Sequence, residues 1–217
     1  MLRLDKFTHN HPIFYHAKHA LFGYLKEIVY QITGNRDKVK KIKERIFKQQ
    51  KAIYSEYLSN RKILDIGCGR GDFLSKICRE YNSTGIGIDI SWGMLNFAKS
   101  NNPGVYIMSD SGNIPFKDKS FDAVVLKGVL HHLPTEIRLK TLKEAERLSK
   151  ESILIEEPCC FENRILKLIS RLYWKIEDHG YYYGSEKDWA EIIGEGIIET
   201  ILGEGFVRYV MFIKKCK

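Results

Sequence analysis

The chain has 217 residues, of which 44% are hydrophobic, 29% charged and 12% aromatic. This composition lies outside the disordered range, so we expect one folded core with an appendage and not two full domains. No window approaches 18 consecutive apolar residues, and the first residues lack the apolar run of a secretory signal. The sequence therefore predicts a cytoplasmic protein without a transmembrane segment.

The formal net charge of +8 is concentrated near the N-terminus. Residues 1–60 hold 12 Lys and Arg against 5 Asp and Glu, whereas residues 61–217 hold 23 against 22. Apolar residues recur at helical spacing from Arg36 to about Leu58, and the opposite face is rich in lysine. We expect a basic N-terminal helical segment over 1–60 that acts as a lid over a substrate pocket. Its basic residues 36–51 could follow RNA phosphates, lie on an anionic membrane or face solvent.

From residue 62 onward, short apolar runs alternate with helical stretches. The runs are 63–66, 84–88, 105–108, 123–126 and 153–155, and the helical stretches include 72–81, 91–99 and 136–148. Buried strands separated by helices predict a doubly wound α/β domain over 61–217 with a parallel sheet. The last two apolar runs, 197–202 and 206–213, are separated by three residues, which is too short for a parallel crossover and predicts an antiparallel hairpin.

Glycines at 67, 69 and 71 follow the first predicted strand directly. They let the backbone turn sharply and approach a ligand closely at the carboxyl end of that strand, which predicts a nucleotide-like cofactor. The spacing differs from the dinucleotide fingerprint, and no Gly-Lys-Ser/Thr follows. Asp89, at the end of the second strand, can accept hydrogen bonds from both ribose hydroxyls. Asp110, after the third strand, can bind the exocyclic amine of an adenine.

The sequence resembles class I S-adenosylmethionine-dependent methyltransferases of the group called methyltransferase type 11. The resemblance covers residues 62–158 and is carried by five blocks: LDIGCGRGDF at 64–73, GIDIS at 87–91, SDSGNIPFKDKSFDAVV at 109–125, GVLHHLP at 128–134 and ILIEEP at 153–158. It implies a Rossmann-like sheet of seven strands with the last strand antiparallel. It also implies S-adenosylmethionine as cofactor and S-adenosylhomocysteine as product, with no metal.

The resemblance places Asp65, Gly67 and Gly69 around the methionine moiety, Asp89 at the ribose and Asp110 at the adenine. The full set of predicted cofactor-binding residues is Asp65, Gly67, Cys68, Gly69, Asp89, Ile90, Met94, Asp110, Ser111 and Lys127.

Two histidines, His131 and His132, follow the fourth strand at its carboxyl end, where either could take a proton from the acceptor near neutral pH. The alternative is that the pair shapes a helix start and contacts the edge of the cofactor. A second group, His9, His11, His16 and His19, has loose metal-ligand spacing but no nearby carboxylate or cysteine, so a solvated or substrate-facing lid is favoured over a metal site.

Residues 159–195 are expected to form an insertion on the acceptor side. Its first part, 161–176, has apolar residues on one helical face, for which ordinary core packing is favoured over a lid. It is followed by His179 and by three tyrosines, Tyr181, Tyr182 and Tyr183, on a loop flanked by glycines. These residues are candidates for acceptor binding, and the tyrosines could stack on a ring of the acceptor or simply seal the site.

The leading functional hypothesis is methyl transfer to a small-molecule or lipid-like acceptor. The first alternative is a tRNA methyltransferase acting on a modified wobble uridine, which the basic N-terminus would suit. The second is a non-enzymatic, cofactor-binding regulatory protein. The sequence leaves the acceptor, the oligomeric state and the pathway open.

Overall fold

The fold was obtained as a computed structural model, which describes residues 36–204 and 207–216. Helix α1 (Arg36–Leu58) precedes strand β1 (Lys62–Ile66), helix α2 (Asp72–Glu80), strand β2 (Thr84–Asp89), helix α3 (Trp92–Asn101) and strand β3 (Val105–Met108). Strand β4 (Phe121–Lys127) leads through a 3₁₀ turn (Leu130–His132) to helix α4 (Thr135–Leu148) and strand β5 (Ser149–Cys159). Helices α5 (Arg164–Glu177) and α6 (Glu186–Ile193) precede strands β6 (Ile197–Glu204) and β7 (Val207–Lys215).

The seven strands of the described residues form one sheet in the order β3-β2-β1-β4-β5-β7-β6. Strands β1 to β5 pair in parallel, and β7 pairs antiparallel with both β5 and β6. The predicted α/β class and the hairpin at the end of the chain are confirmed. The second strand of the hairpin is inserted between β5 and β6, and its pairing helps β5 extend to 11 residues, well beyond the predicted 153–155.

Adjacent strand residues face opposite sides of the sheet, and each side has its own core. Ile63 packs with α1, α2 and α3, whereas Leu64 packs with α4 and α6. The last turns of α1 belong to the first of these cores, because Ile53, Tyr57 and Leu58 are buried there. The helix predicted over 36–58 is present, and its end packs as part of the main fold.

Among the described residues, no helix is both long enough and apolar enough to span a bilayer. The predicted His9, His11, His16 and His19 group, residues 1–35 of the predicted lid, and Phe206 of the predicted hairpin lie outside the described residues.

Candidate active site

The glycine loop joins β1 to α2 at the carboxyl edge of the sheet. The N–H groups of Gly67 and Cys68 both donate to the Ile88 carbonyl, at 2.8 and 2.9 Å, so the loop is fixed to the end of β2. Gly67 has φ +72°, and a Cβ placed on it would lie 2.5 Å from the Val129 side chain. Gly69 has φ +52°, but no described atom lies within 4 Å of a Cβ placed there. The loop therefore packs tightly at Gly67 and faces open space at Gly69, where a ligand can approach the backbone.

Asp89 closes the loop from the neighbouring strand. Its carboxylate accepts the N–H of Gly69 at 2.9 Å and the N–H of Ser91 at 2.8 Å. Ser91 in turn caps α3 by accepting the N–H of Met94 at 3.3 Å. Met94 is buried, whereas the Ile90 side chain is 73% exposed at this edge. The predicted ribose-binding carboxylate is thus held at the open space above the glycine loop.

Asp65 lies beneath the glycine loop and is only 2% exposed. Burial and the nearby Asp89 carboxylate raise its pKa to about 8, although Lys127 opposes the shift. Its Oδ2 atom is buried and accepts no hydrogen bond from any described residue. A buried acceptor of this kind needs a donor, and the cationic amino group of S-adenosylmethionine is a suitable one. These residues therefore fit the implied cofactor.

The remaining predicted cofactor residues have local roles in the structure. Asp110 is exposed and accepts the Gly112 N–H at 2.8 Å, and the hydroxyls of Ser111 and Thr141 share a hydrogen bond of 2.8 Å. Cys68 is buried, and burial raises the pKa of its thiol far above the usual value. Cys68 is therefore a packing residue of the loop and not a reactive thiol.

His131 is buried between two carboxylates. Its Nδ1 lies 2.6 Å from Glu157 Oε2 and its Nε2 lies 2.6 Å from Asp178 Oδ2. Burial alone would lower the pKa of His131, but the two carboxylates outweigh it and raise the pKa to about 9. A protonated ring that donates from both nitrogens cannot accept a proton at pH 7. The predicted role of His131 as a base is therefore corrected to positioning.

Glu157 joins this histidine to the turn that follows β4. It is fully buried and accepts the N–H groups of Val129 and Leu130, at 3.0 and 2.7 Å, in addition to the ring of His131. The carbonyl of His131 accepts the N–H groups of Tyr181 and Tyr182, so the turn also holds the loop after α5.

His132 is the more accessible histidine of the pair. Its side chain is 23% exposed, and its Nε2 lies 3.5 Å from Asp178 Oδ2. Ligand atoms of His131, His132 and Asp178 lie within 4.8 Å of one another, as they would around a metal. However, the 2.6 Å between His131 and Asp178 is a hydrogen-bond distance, and ligands of one tetrahedral zinc lie about 3.3 Å apart. The geometry is therefore that of a hydrogen bond between His131 and Asp178 and not that of two ligands of one zinc ion.

The three tyrosines predicted to bind the acceptor differ in their surroundings. Tyr183 is 5% exposed, its hydroxyl accepts the Gly180 N–H at 2.6 Å, and its ring stacks on Trp174. Tyr182 packs against Trp189, whereas Tyr181 is 71% exposed. The prediction for Tyr183 is wrong, because its ring and hydroxyl are used inside the fold. His179, with φ +59°, is half-buried on the same loop.

A polar cluster that the sequence did not reveal lies at the ends of β4 and β5. The Glu156 carboxylate is 8% exposed, forms an ion pair with Lys127, and accepts the Tyr54 hydroxyl of α1 at 3.0 Å and the Gln50 amide at 3.5 Å. Burial and Glu156 raise the pKa of Tyr54 far above its usual value, so its hydroxyl stays protonated and donates. Lys127, predicted to bind the cofactor, is held in this cluster.

The cluster borders a small, partly open cavity with room for about one water molecule. Its lining is apolar apart from the cluster and consists of Tyr54, Phe73, Val125, Lys127, Leu154, Ile155, Glu156 and Met211. Of this cluster, the sequence showed a signal only at Glu156 and Glu157, because two acidic residues directly follow the apolar run 153–155.

Comparison with known proteins assigns this arrangement to a family. Residues 63–152 match the family described as "Methyltransferase domain". This part of the chain is a methyltransferase domain. The match spans the glycine loop, Asp89 and the turn at His131.

Curated relatives share this methyltransferase domain. The chain is 30% identical over 138 residues to an uncharacterized protein of Methanocaldococcus jannaschii, covering 63% of this chain and 52% of that protein. It is 34% identical over 99 residues to "Probable tRNA methyltransferase 9B" of Mus musculus, covering 43% and 21%. It is 28% identical over 167 residues to the demethylmenaquinone methyltransferase of Staphylococcus saprophyticus, covering 69% of each. The chain thus spans about half or less of the first relatives it matches.

A solved structure shares the fold of the methyltransferase domain. Magnesium protoporphyrin IX methyltransferase from Synechocystis, crystallised with bound S-adenosylhomocysteine, superposes with a TM-score of 0.60 at 17% identity. The alignment covers 82% of this chain and 83% of that one.

The open space at Gly69 predicts the effect of a side chain there. We expect Gly69→Val to abolish binding of S-adenosylmethionine in calorimetry, because the new side chain would occupy the approach to the backbone. Gly194→Val is the matched control, since Gly194 has φ +81° and equally open space, but lies at the end of α6. Both variants should lose folding free energy because of the positive φ, about 1–2 kcal/mol at Gly69 and about 1–3 kcal/mol at Gly194, where ψ is −151°. Normal binding by Gly69→Val would show that the loop does not face the cofactor.

The raised pKa of Asp65 predicts a pH dependence of stability. Between the ordinary value of 3.8 and about 8, Asp65 is protonated in the folded chain and ionised in the unfolded chain. The stabilising contribution of Asp65 to folding is complete below pH 3.8 and is lost as the pH rises towards 8. We expect the melting temperature of the cofactor-free protein to fall less steeply from about pH 5 to 8 in Asp65→Asn than in the parent. Equal slopes in the two proteins would contradict the assigned protonation state.

Proposed function

We propose that the chain transfers a methyl group from S-adenosylmethionine to an apolar, lipid-like small molecule. The observation that carries the proposal is the apolar surface beside the Glu156 cluster, which lines a small cavity and has one charged pair at its border. Pockets for small ligands are mostly apolar and contain a few polar groups that orient the ligand. The relative named demethylmenaquinone methyltransferase supports the same acceptor class.

The mechanism we propose depends mainly on aligning the methyl donor with the acceptor. Bound S-adenosylmethionine supplies a methyl carbon that is already activated by a sulfonium, so transfer is an in-line displacement. Asp65 and Asp89 hold the donor side of the site, and the backbone of Gly69 faces it. The Tyr54 hydroxyl and the Lys127 ammonium orient a polar group of the acceptor, and the apolar lining excludes water.

The atom that receives the methyl group must lose its proton if it arrives protonated. We assign this proton to the Glu156 carboxylate, which lies at the cavity. His132 is a second candidate base, because its ring is partly exposed beside Asp178. Tyr181 and His179 stay predictions as acceptor contacts, on the loop that the His131 carbonyl holds.

RNA is the second candidate acceptor. Lys40, Lys41, Lys48 and Lys51 are all exposed on α1, and one relative is named as a tRNA methyltransferase. Replacing these four lysines by glutamine separates the candidates. An RNA substrate would bind more weakly, with a salt slope reduced by about 0.7–0.9 for each lost phosphate contact. Turnover of a lipid-like acceptor should change little.

A labelling experiment identifies the acceptor class. We would incubate a cell extract with the protein and a methyl-labelled donor, and then separate lipid, small-molecule, RNA and protein fractions. We expect label in the lipid fraction, and none when Gly69→Val replaces the parent. Label in RNA alone would replace the proposal by the tRNA candidate. Absence of label in every fraction would favour the regulatory alternative.

The Tyr54 hydroxyl predicts a variant that separates transfer from donor binding. Tyr54→Phe removes one hydrogen bond at Glu156 and should slow transfer about fivefold, equivalent to about 1 kcal/mol, while donor affinity stays unchanged. Tyr81→Phe is the control, because its hydroxyl only approaches the Lys51 carbonyl at 3.5 Å outside the cavity. The prediction is checked by measuring the rate of methyl transfer to the fraction that becomes labelled in the extract experiment. A parent-like rate for Tyr54→Phe would remove α1 from the acceptor site.

A further inference from the structure

Helix α5 exposes a continuous apolar stripe. Five aliphatic side chains at helical spacing have exposed fractions between 43% and 71%: Ile165, Leu168, Ile169, Leu172 and Ile176. The sequence favoured ordinary core packing for this face, and the structure shows that interpretation to be wrong. Singly exposed apolar residues are normal, but a contiguous stripe of this kind marks an interaction surface.

The orientation of the helix is fixed by its opposite face. Ser170 and Trp174 are buried there, and the Trp174 ring stacks on Tyr183 and meets the Tyr209 ring edge-on at 5.3 Å. At its start, the Asn163 side chain caps the helix by accepting the N–H groups of Ile165 and Leu166. The stripe therefore points outward because the inner face is already packed, and no described residue buries it.

Basic side chains line one flank of the stripe. Four of them, Arg164, Lys167, Arg171 and Lys175, lie within α5, and the one acidic residue of the helix, Glu177, is buried. Lys167 forms an ion pair with Asp188 at 2.5 Å, whereas Arg164 and Lys175 are exposed. At 100° per residue, Arg164 projects about 40° from Leu168, and Lys175 projects about 60° from Leu172.

We propose that this stripe docks the protein on the surface of an anionic phospholipid bilayer. An exposed apolar face with a basic flank is the pattern by which interfacial helices bury aliphatic side chains among acyl chains and attract anionic headgroups. The positive charge of the flank favours an anionic bilayer over two other occupants, a second copy of the chain and residues 1–35. A second copy would bring equal basic flanks together, and residues 1–35 hold four Lys and Arg against two acidic residues, so they carry the same sign.

Docking at this place would bring the bilayer next to the active site. Asp178 directly follows α5 and contacts His131 in the turn after β4. The biological purpose of the surface rests on the proposed lipid-like acceptor. Its existence does not, since vesicle binding is measured without acceptor or turnover.

The test is flotation of the full-length protein with vesicles. Phosphatidylcholine vesicles containing phosphatidylglycerol are compared with vesicles of phosphatidylcholine alone. We expect binding to the anionic vesicles, weakened when salt is raised from about 0.1 M to about 1 M, where the Debye length falls from about 10 Å to about 3 Å. Leu168→Ser with Leu172→Ser should weaken binding at least tenfold, and Arg164→Glu with Lys175→Glu should do the same.

Two controls on α4 match these variants. Leu139→Ser removes an apolar side chain that is 47% exposed elsewhere, and Lys143→Glu reverses an exposed charge there. Both should float like the parent. Calorimetry with S-adenosylmethionine on every variant confirms that the fold and the donor site are intact, so failure of docking is distinguished from failure of the proposed function.

Three outcomes would overturn the proposal. One is equal binding to neutral and anionic vesicles, or none to either. Another is parent-like flotation of both α5 double variants. The third is a parent that is dimeric by light scattering and does not float, with a monomeric Leu168→Ser, Leu172→Ser variant, which would assign the stripe to a second copy of the chain.

Discussion

The hydrogen bond from the Gly69 N–H to the Asp89 carboxylate is the contact on which the donor site depends. It joins the loop after β1 to the end of β2 and fixes the backbone where Gly69 faces open space. A carboxylate that accepts two backbone N–H groups is held in one orientation, and it can still accept ribose hydroxyls through further lone pairs.

Buried carboxylates organise the acceptor side in a similar way. Glu157 and Asp178 hold His131 between them, and this bridge joins the turn after β4 to the end of α5. Glu156, the neighbour of Glu157 along β5, faces α1 and accepts the Tyr54 hydroxyl. Glu156 therefore contacts α1 and Glu157 contacts the turn after β4, because successive side chains of a strand point to opposite faces of the sheet. A substitution of either acid should disturb the element that it contacts and leave the other element in place.

The strands, the glycine loop and the position of Asp89 could be predicted, because each is coded by residues close together in the sequence. Periodicity also identified α5, but it could not tell whether the apolar face is turned inward. Ile165 and Leu172 form an apolar face in either case, and the packing of Trp174 decides the orientation. The contacts of His131 with Asp178 and of Tyr54 with Glu156 join residues 47 and 102 positions apart, which only the tertiary fold brings together.

The central claim is that Asp89 and the glycine loop form a site for S-adenosylmethionine. Calorimetric titration of the parent and of Asp89→Ala with S-adenosylmethionine tests it most directly. The account predicts binding by the parent and an affinity about ten- to hundredfold lower in the variant, which corresponds to about 1.5–3 kcal/mol for hydrogen bonds to a charged group. Equal affinities in the two proteins, or tighter binding of NAD than of S-adenosylmethionine by the parent, would contradict it.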